Sequence, residues 1–252
     1  MTEKIQETEI KKTRLRLSER LKLVASFVPE GSRIADIGTD HGYVPIYLAE
    51  IGKIKSALAM DVRKGPLARA DEHIEEYRHD VGDAAISIET RLSNGLEKLQ
   101  AKEADTVIIA GMGGELMLRI LRDGAHMYDS VKHYVLSPQS ELSVFRHGLE
   151  KLGISILEEQ MLMDEGKYYV ILHAAPGSMH YEQEYEYRYG SDLIRKQDPV
   201  LREFLERELA QGEELLAHLS RMQTEGAQKR AESLRQELNE TKEAYHALQG
   251  TD

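Results

Sequence analysis

The chain has no cysteine, no tryptophan and only three phenylalanines, and no apolar run reaches the roughly 18 residues that a membrane helix needs. Without cysteine there is no disulfide, no thiolate metal ligand and no cysteine nucleophile, so chemistries built on a cysteine adduct or cysteine-bound zinc are excluded. The ten histidines show neither H-x₃-H nor H-E-x-x-H spacing, and no metal is expected. Positive charge is also short, with 33 Lys and Arg against 44 Asp and Glu, net −11. From Pro176 onward 16 acids face 10 bases, net −6, which leaves 28 against 23, net −5, for the rest. Neither part is basic, so any contact with nucleic acid must use a local patch. The first ten residues hold no apolar signal segment, and a soluble, cytoplasmic protein with no membrane contact is expected.

Apolar residues make up 41% of the 252 positions and charged residues 31%, which is material for one core plus a charged helical element. Residues 1–12 are polar and unpatterned. Helical spacing follows over 15–27, with Ser18 and Glu19 at its start. Then apolar runs alternate with amphipathic ones. Strands are expected at 33–37, 56–60, 85–91, 105–110 and 133–137, with helices at 43–51, 66–77, 116–121 and 140–152. Two further strands, 154–164 and 167–174, meet at the hairpin signal Glu165-Gly166. This order predicts a doubly wound α/β sheet of seven strands. After Ala175-Pro176-Gly177-Ser178 the composition shifts to Glu, Arg, Leu and Gln. Leu201, Leu205, Leu215, Leu219 and Met222 recur at heptad steps, with Glu208 and Gly212 off the pattern. Ala231, Leu234, Leu238, Tyr245 and Leu248 do the same, with Thr241 off it. Thr224-Glu225-Gly226 lies between, so two helices folded back as a coiled-coil hairpin are expected. The domains are drawn at 1–176 and 177–252.

The first strand and turn read Asp36-Ile37-Gly38-Thr39-Asp40-His41-Gly42. An acid, two glycines four apart and then a helix place a nucleotide-like ligand at the carboxyl end of the sheet, where side chains would collide with it. The dinucleotide spacing G-x-G-x-x-G is absent, and Asp40 stands in the loop. A carboxylate beside phosphate is repelled by roughly 1–4 kcal/mol per charge pair at about 4 Å. S-adenosylmethionine instead brings a sulfonium and an ammonium, which Asp36 and Asp40 attract. Asp61 ends the second strand where a carboxylate can take both ribose hydroxyls, and Asn94, after the third, can bond the adenine edge. Each is also an ordinary strand-to-helix cap when taken alone. Gly111-Met112-Gly113-Gly114 after the fourth strand lets the backbone approach a planar substrate.

Asp36-Ile-Gly-Thr-Asp-His-Gly-Tyr-Val-Pro45, Ala110-Gly-Met-Gly-Gly114, Leu136-Ser-Pro-Gln139 and the charged helical C-terminus resemble the bacterial TrmK-like tRNA adenine-N1 methyltransferases. The resemblance covers nearly the whole chain. It implies a class I, Rossmann-like methyltransferase sheet followed by a coiled-coil domain. It also implies S-adenosylmethionine-dependent methylation of N1 of adenine 22 in the tRNA D-arm. In that reading Asp36, Gly38, Asp40 and Gly42 line the donor, Asp61 holds its ribose and Asn94 lies near its adenine. Val62, Gly95, Gly111 and Met112 complete the donor set. Gly113, Gly114, Arg63 and Lys64 form the substrate set, and Asp40 and His41 are the catalytic candidates. The Asn-Pro-Pro-Tyr of many amino-directed methyltransferases is missing, so Tyr43, Phe145, Tyr168 and Tyr169 are candidates to stack on the base.

For tRNA, residues 53–69 carry five bases against one acid, net +4, and residues 1–22 carry seven against four, net +3. Arg119 and Arg122 follow the glycine turn. Arg195, Lys196, Arg202 and Arg207 are a possible basic edge of the hairpin. A monomer or a homodimer fits equally. A methyltransferase for a small metabolite would keep its activity without residues 180–252, and a non-catalytic assembly protein would bind no S-adenosylmethionine.

Overall fold

A computed structural model describes residues 15–222 and 224–250. The element order is α1 (Glu19–Ser26), β1 (Ser32–Ile37), α2 (Tyr43–Glu50), β2 (Ile54–Asp61), α3 (Lys64–Val81), β3 (Ser87–Leu92), β4 (Thr106–Met112), α4 (Gly114–Asp123), β5 (His133–Pro138), α5 (Leu142–Lys151), β6 (Ile154–Asp164), β7 (Lys167–Pro176), α6 (Glu184–Tyr189), α7 (Ser191–Arg195), α8 (Pro199–Leu219) and α9 (Glu225–Gln249). The seven strands form one sheet in the order β3-β2-β1-β4-β5-β7-β6. β1 pairs in parallel with β2 and with β4, and β2 with β3, whereas β7 runs antiparallel to both β5 and β6. The alternating strands and helices and the closing hairpin at Glu165-Gly166 are therefore as expected. The polar stretch 1–12 and most of the 1–22 basic cluster lie outside the described residues.

The chain divides into two compact units, residues 1–109 with 123–133, and 110–122 with 134–252. In the first, β1 and β2 are buried on both faces through Ile34, Ala35, Ile37, Leu58, Ala59 and Met60, as a parallel strand covered by helices requires. Ser18 caps α1 by accepting from Leu21 N–H, so the helix starts at Glu19, where Ser18 and Glu19 were expected to start it. The Lys53 ammonium donates to the carbonyls of Ala25 and Ser26 at 3.0 and 2.7 Å, holding the other end.

In the second unit β4 continues through Met112, because Gln139 N–H donates to the Met112 carbonyl at 2.9 Å. The glycine turn is thus shorter than its sequence suggests: Gly111 and Met112 are strand, and Gly114 already opens α4. Beyond β7 the helical hairpin is present as α8 and α9, with two short helices ahead of it that the spacing did not show. Thr224 is the cap of α9, accepting from Ala227 N–H, so Glu225 and Gly226 belong to the helix rather than to the turn. Leu201 and Leu205 of α8 are buried, but Leu215 and Met222 are 42% and 44% exposed. The buried line of α9 includes Ala227, Ala231, Leu234, Leu238, Thr241, Ala244 and Leu248, with Ala244 rather than Tyr245 facing inward.

Candidate functional site

Asp36, at the penultimate position of β1, and Asp61, at the end of β2, are 6% and 5% exposed. The Thr39 hydroxyl donates to Asp36 Oδ2 at 2.6 Å, and among the described residues no cation is paired with that carboxylate. Burial pushes the Asp36 carboxyl up to about 6 from 3.8; the Thr39 bond opposes this, and the charge of Asp61 adds to it. Asp61 Oδ1 accepts from Arg63 N–H at 2.8 Å, with the Arg63 guanidinium 3.7 Å away and largely in solvent. A ligand brought here gains by carrying positive charge and loses by carrying phosphate. The donor set therefore fits a sulfonium and ammonium compound.

The loop after β1 owes its glycines to its backbone first. Gly38 and Gly42 have φ of 75° and 72°, and a Cβ on Gly42 would press to 3.3 Å from the Ala70 methyl. Collision with a ligand is not needed to explain them. Asp40 also lies in the left-handed region, at φ 52°, an uncommon state for a residue with a side chain. Its carboxylate is 60% exposed, 3.8 Å from Arg69 Nη2 and 3.6 Å from His41 Nε2. His41 stacks on Tyr43 at 5.1 Å and 10°, and Tyr43 stacks on His73 of α3 at 5.1 Å and 24°. His73 Nδ1 lies 3.0 Å from the His41 carbonyl and, as its N–H donor, ties α3 to the loop. The sequence reading missed Thr39 and His73. Thr39 had a signal, a hydroxyl three residues after a buried acid; His73 had none.

Val62 is exposed next to Asp61. Asn94 is exposed too, and its amide donates to Glu97 at 2.6 Å, while Gly95 is buried at φ 55°. These residues with Asp36, Gly38, Asp40, Gly42, Arg63 and Lys64 all belong to the first unit, following β1, β2 and β3. Of the expected basic cluster, Lys53 is engaged with the end of α1, and Lys55, Arg63, Lys64 and Arg69 are exposed.

Gly111–Gly114 belong to the second unit. A Cβ on Gly114 would stand 2.7 Å from the Ser140 carbonyl oxygen and 3.2 Å from Phe145 Cβ, so close packing alone demands glycine there. Phe145 is fully buried and cannot stack on a substrate; this corrects its candidacy. Arg195 and Lys196 are paired with Asp192, and Lys196 also with Glu158, so neither is a free phosphate contact.

Residues 17–172 match the model of a methyltransferase domain. A curated relative, the tRNA (adenine(22)-N(1))-methyltransferase of Bacillus subtilis, is 34% identical over 163 residues, which span 65% of this chain and 66% of that protein. A candidate tRNA (m1A22) methyltransferase of Streptococcus pneumoniae, solved with S-adenosyl-L-methionine, superposes with TM-score 0.79 at 33% identity, over 92% of this chain and all of that one. The chain belongs to the TrmK-like methyltransferase family. M. capricolum TrmK with S-adenosylhomocysteine matches 92% of this chain and 99% of its own, at 27% identity and TM-score 0.76. The family's fold thus extends through both the sheet and the C-terminal helices. Among the described residues no helix is long and apolar enough to cross a membrane, and no three His, Asp or Glu side chains are grouped as a metal would need.

Proposed function

We propose that this chain transfers a methyl group from S-adenosylmethionine to N1 of adenine 22 in the D-arm of tRNA, in the cytoplasm. The observation that carries the proposal is the match, over 92% of this chain, to a family member solved with that donor. The two buried carboxylates support it locally. We assign catalysis to a domain of residues 1–176 and RNA bracing to the helices of 177–252. Asp36 and Asp61 would hold the donor with Gly38, Gly42, Val62, Asn94 and Gly95 around it. When bound, the donor supplies an electrophilic methyl on a cationic sulfur.

The chain's own part is positioning and charge. N1 lies on the Watson–Crick edge, so the target base must leave its stack before it reacts. Holding the ring in line with the methyl removes several kcal/mol of barrier, roughly 7–11 in the most favourable cases. The ring becomes cationic as the bond forms. Asp40, exposed and flanked by His41 and Arg69, is the carboxylate assigned to steady that charge, with His41 beside it. Gly113, Gly114, Arg63 and Lys64 would meet the RNA. Incubation of the protein with unmodified tRNA and labelled donor, followed by nucleoside analysis, is expected to yield 1-methyladenosine. Label at any other nucleoside, or none in RNA, would overturn the assignment.

A further inference from the structure

The second unit contains a cavity of about 510 Å³ to which none of the assigned donor residues contributes. Pockets that enclose small ligands run from roughly 300 to 1,000 Å³. Met161, Tyr168, Leu201 and Phe204 give this one an apolar lining, and Tyr168 meets Phe204 edge to face at 5.0 Å and 72°. Its rim is the segment after β5, which is tied to the end of β4. Gln139 N–H donates to the Met112 carbonyl at 2.9 Å, and a Cβ on Gly113 would reach 3.1 Å from Ser140 Oγ. Gln139 is among the lining residues at an exposed position, and its side-chain amide has no hydrogen-bond partner among the described residues.

The charge of the lining is one-sided. Glu141, Glu208 and Glu240 face a single cation, Arg188, which is paired with Glu240 at 3.1 Å. Such a lining repels phosphate and favours a planar ring that acquires positive charge. We propose that this cavity receives the extruded target adenine, with the Gln139 amide bonded to its N6 and N7. That pairing uses both groups of the amide and leaves N1 free, as methylation at N1 requires. Guanine offers two acceptors on the same edge, of which one amide donor can satisfy only one. The inference rests on the function proposed above and names the pocket of its RNA substrate.

The test is saturation-transfer NMR on the full chain with free nucleosides, in saturating S-adenosylhomocysteine so that the donor's own adenosine site is closed. Adenosine and 1-methyladenosine are expected to bind more tightly than guanosine. Gln139→Ala, at an exposed position, should weaken adenosine roughly tenfold, and Ser143→Trp, at the rim, should abolish the signal. Methylation of tRNA by Gln139→Ala should lose about tenfold in kcat/KM with donor affinity unchanged. Equal binding of adenosine and guanosine, or a signal that survives Ser143→Trp, overturns the cavity. If the wild-type chain methylates tRNA and both variants keep full kcat/KM, the cavity fails and the function stands. If it methylates no tRNA while the nucleoside ranking and its loss hold, the function fails and the adenine site stands.

Discussion

Asp36 in the first unit and Glu159 in the second are both carboxylates pushed up by burial, each with a second acid nearby, and they differ in having a cation against them. Glu159 Oε1 meets Arg146 Nε at 2.7 Å with both side chains wholly out of solvent. Arg146 Nη1 also donates to the carbonyls of Tyr187 and Arg188 at 2.9 and 3.1 Å, while Glu159 N–H donates to Asp192 at 2.8 Å. A Cβ on Gly190 would lie 2.0 Å from Glu159 Oε2, so the chain between α6 and α7 closes directly over the pair. Asp36 has one hydroxyl and a second acid nearby. A buried charge with its countercharge in the chain fixes structure; one without it is suited to a ligand that brings the countercharge.

The contrast breaks if either carboxylate behaves like the other. The largest effect is expected from Arg146→Ala, which strands Glu159: unfolding free energy should fall by about 3–5 kcal/mol in denaturant titrations. A loss under about 1 kcal/mol would mean that the pair is not structural. Asp40→Asn keeps a residue that tolerates the left-handed region and removes the charge. Turnover at saturating donor should drop roughly 100-fold with stability unchanged, and unchanged turnover removes Asp40 from the reaction. Asp36→Asn should work in the other direction on stability. The folded carboxyl sits near 6 against 3.8, so the group binds its proton more readily in the folded state, and its ionisation costs stability as pH rises from about 4 to 6. At neutral pH the ligand-free variant should therefore be more stable by about 1–3 kcal/mol while its donor affinity falls roughly tenfold or more.

Most of the sheet was legible because its strands carry apolar runs closed by Gly or Asp, as at Leu58–Met60 before Asp61 and Val107–Ala110 before Gly111. The acid and glycine turn after β1 was legible for the same reason: local backbone demands write themselves into adjacent residues. What failed to show depends on contacts distant in sequence. Glu208 and Thr241, which broke the heptads, both bond the Tyr189 hydroxyl, at 2.9 and 2.8 Å. Gly212, the other break, lets Leu238 approach to 2.5 Å from where a Cβ would stand. The positions read as defects are thus contacts of the inward face, where the helices meet α6 and one another. Lys53 looked like part of a basic patch because nothing near it in sequence reveals the helix end that it caps.

Donor binding as a function of pH addresses the central claim, that Asp36 awaits a cationic ligand. A cation beside Asp36 lowers its pKa from about 6, so donor binding must expel a proton wherever that carboxyl is protonated. Calorimetry with S-adenosylmethionine should show affinity level above about pH 7 and falling towards tenfold per unit below about pH 6, with matching proton release. Affinity that stays flat from pH 7 to 5, or tighter binding of a nicotinamide dinucleotide than of S-adenosylmethionine, would contradict it.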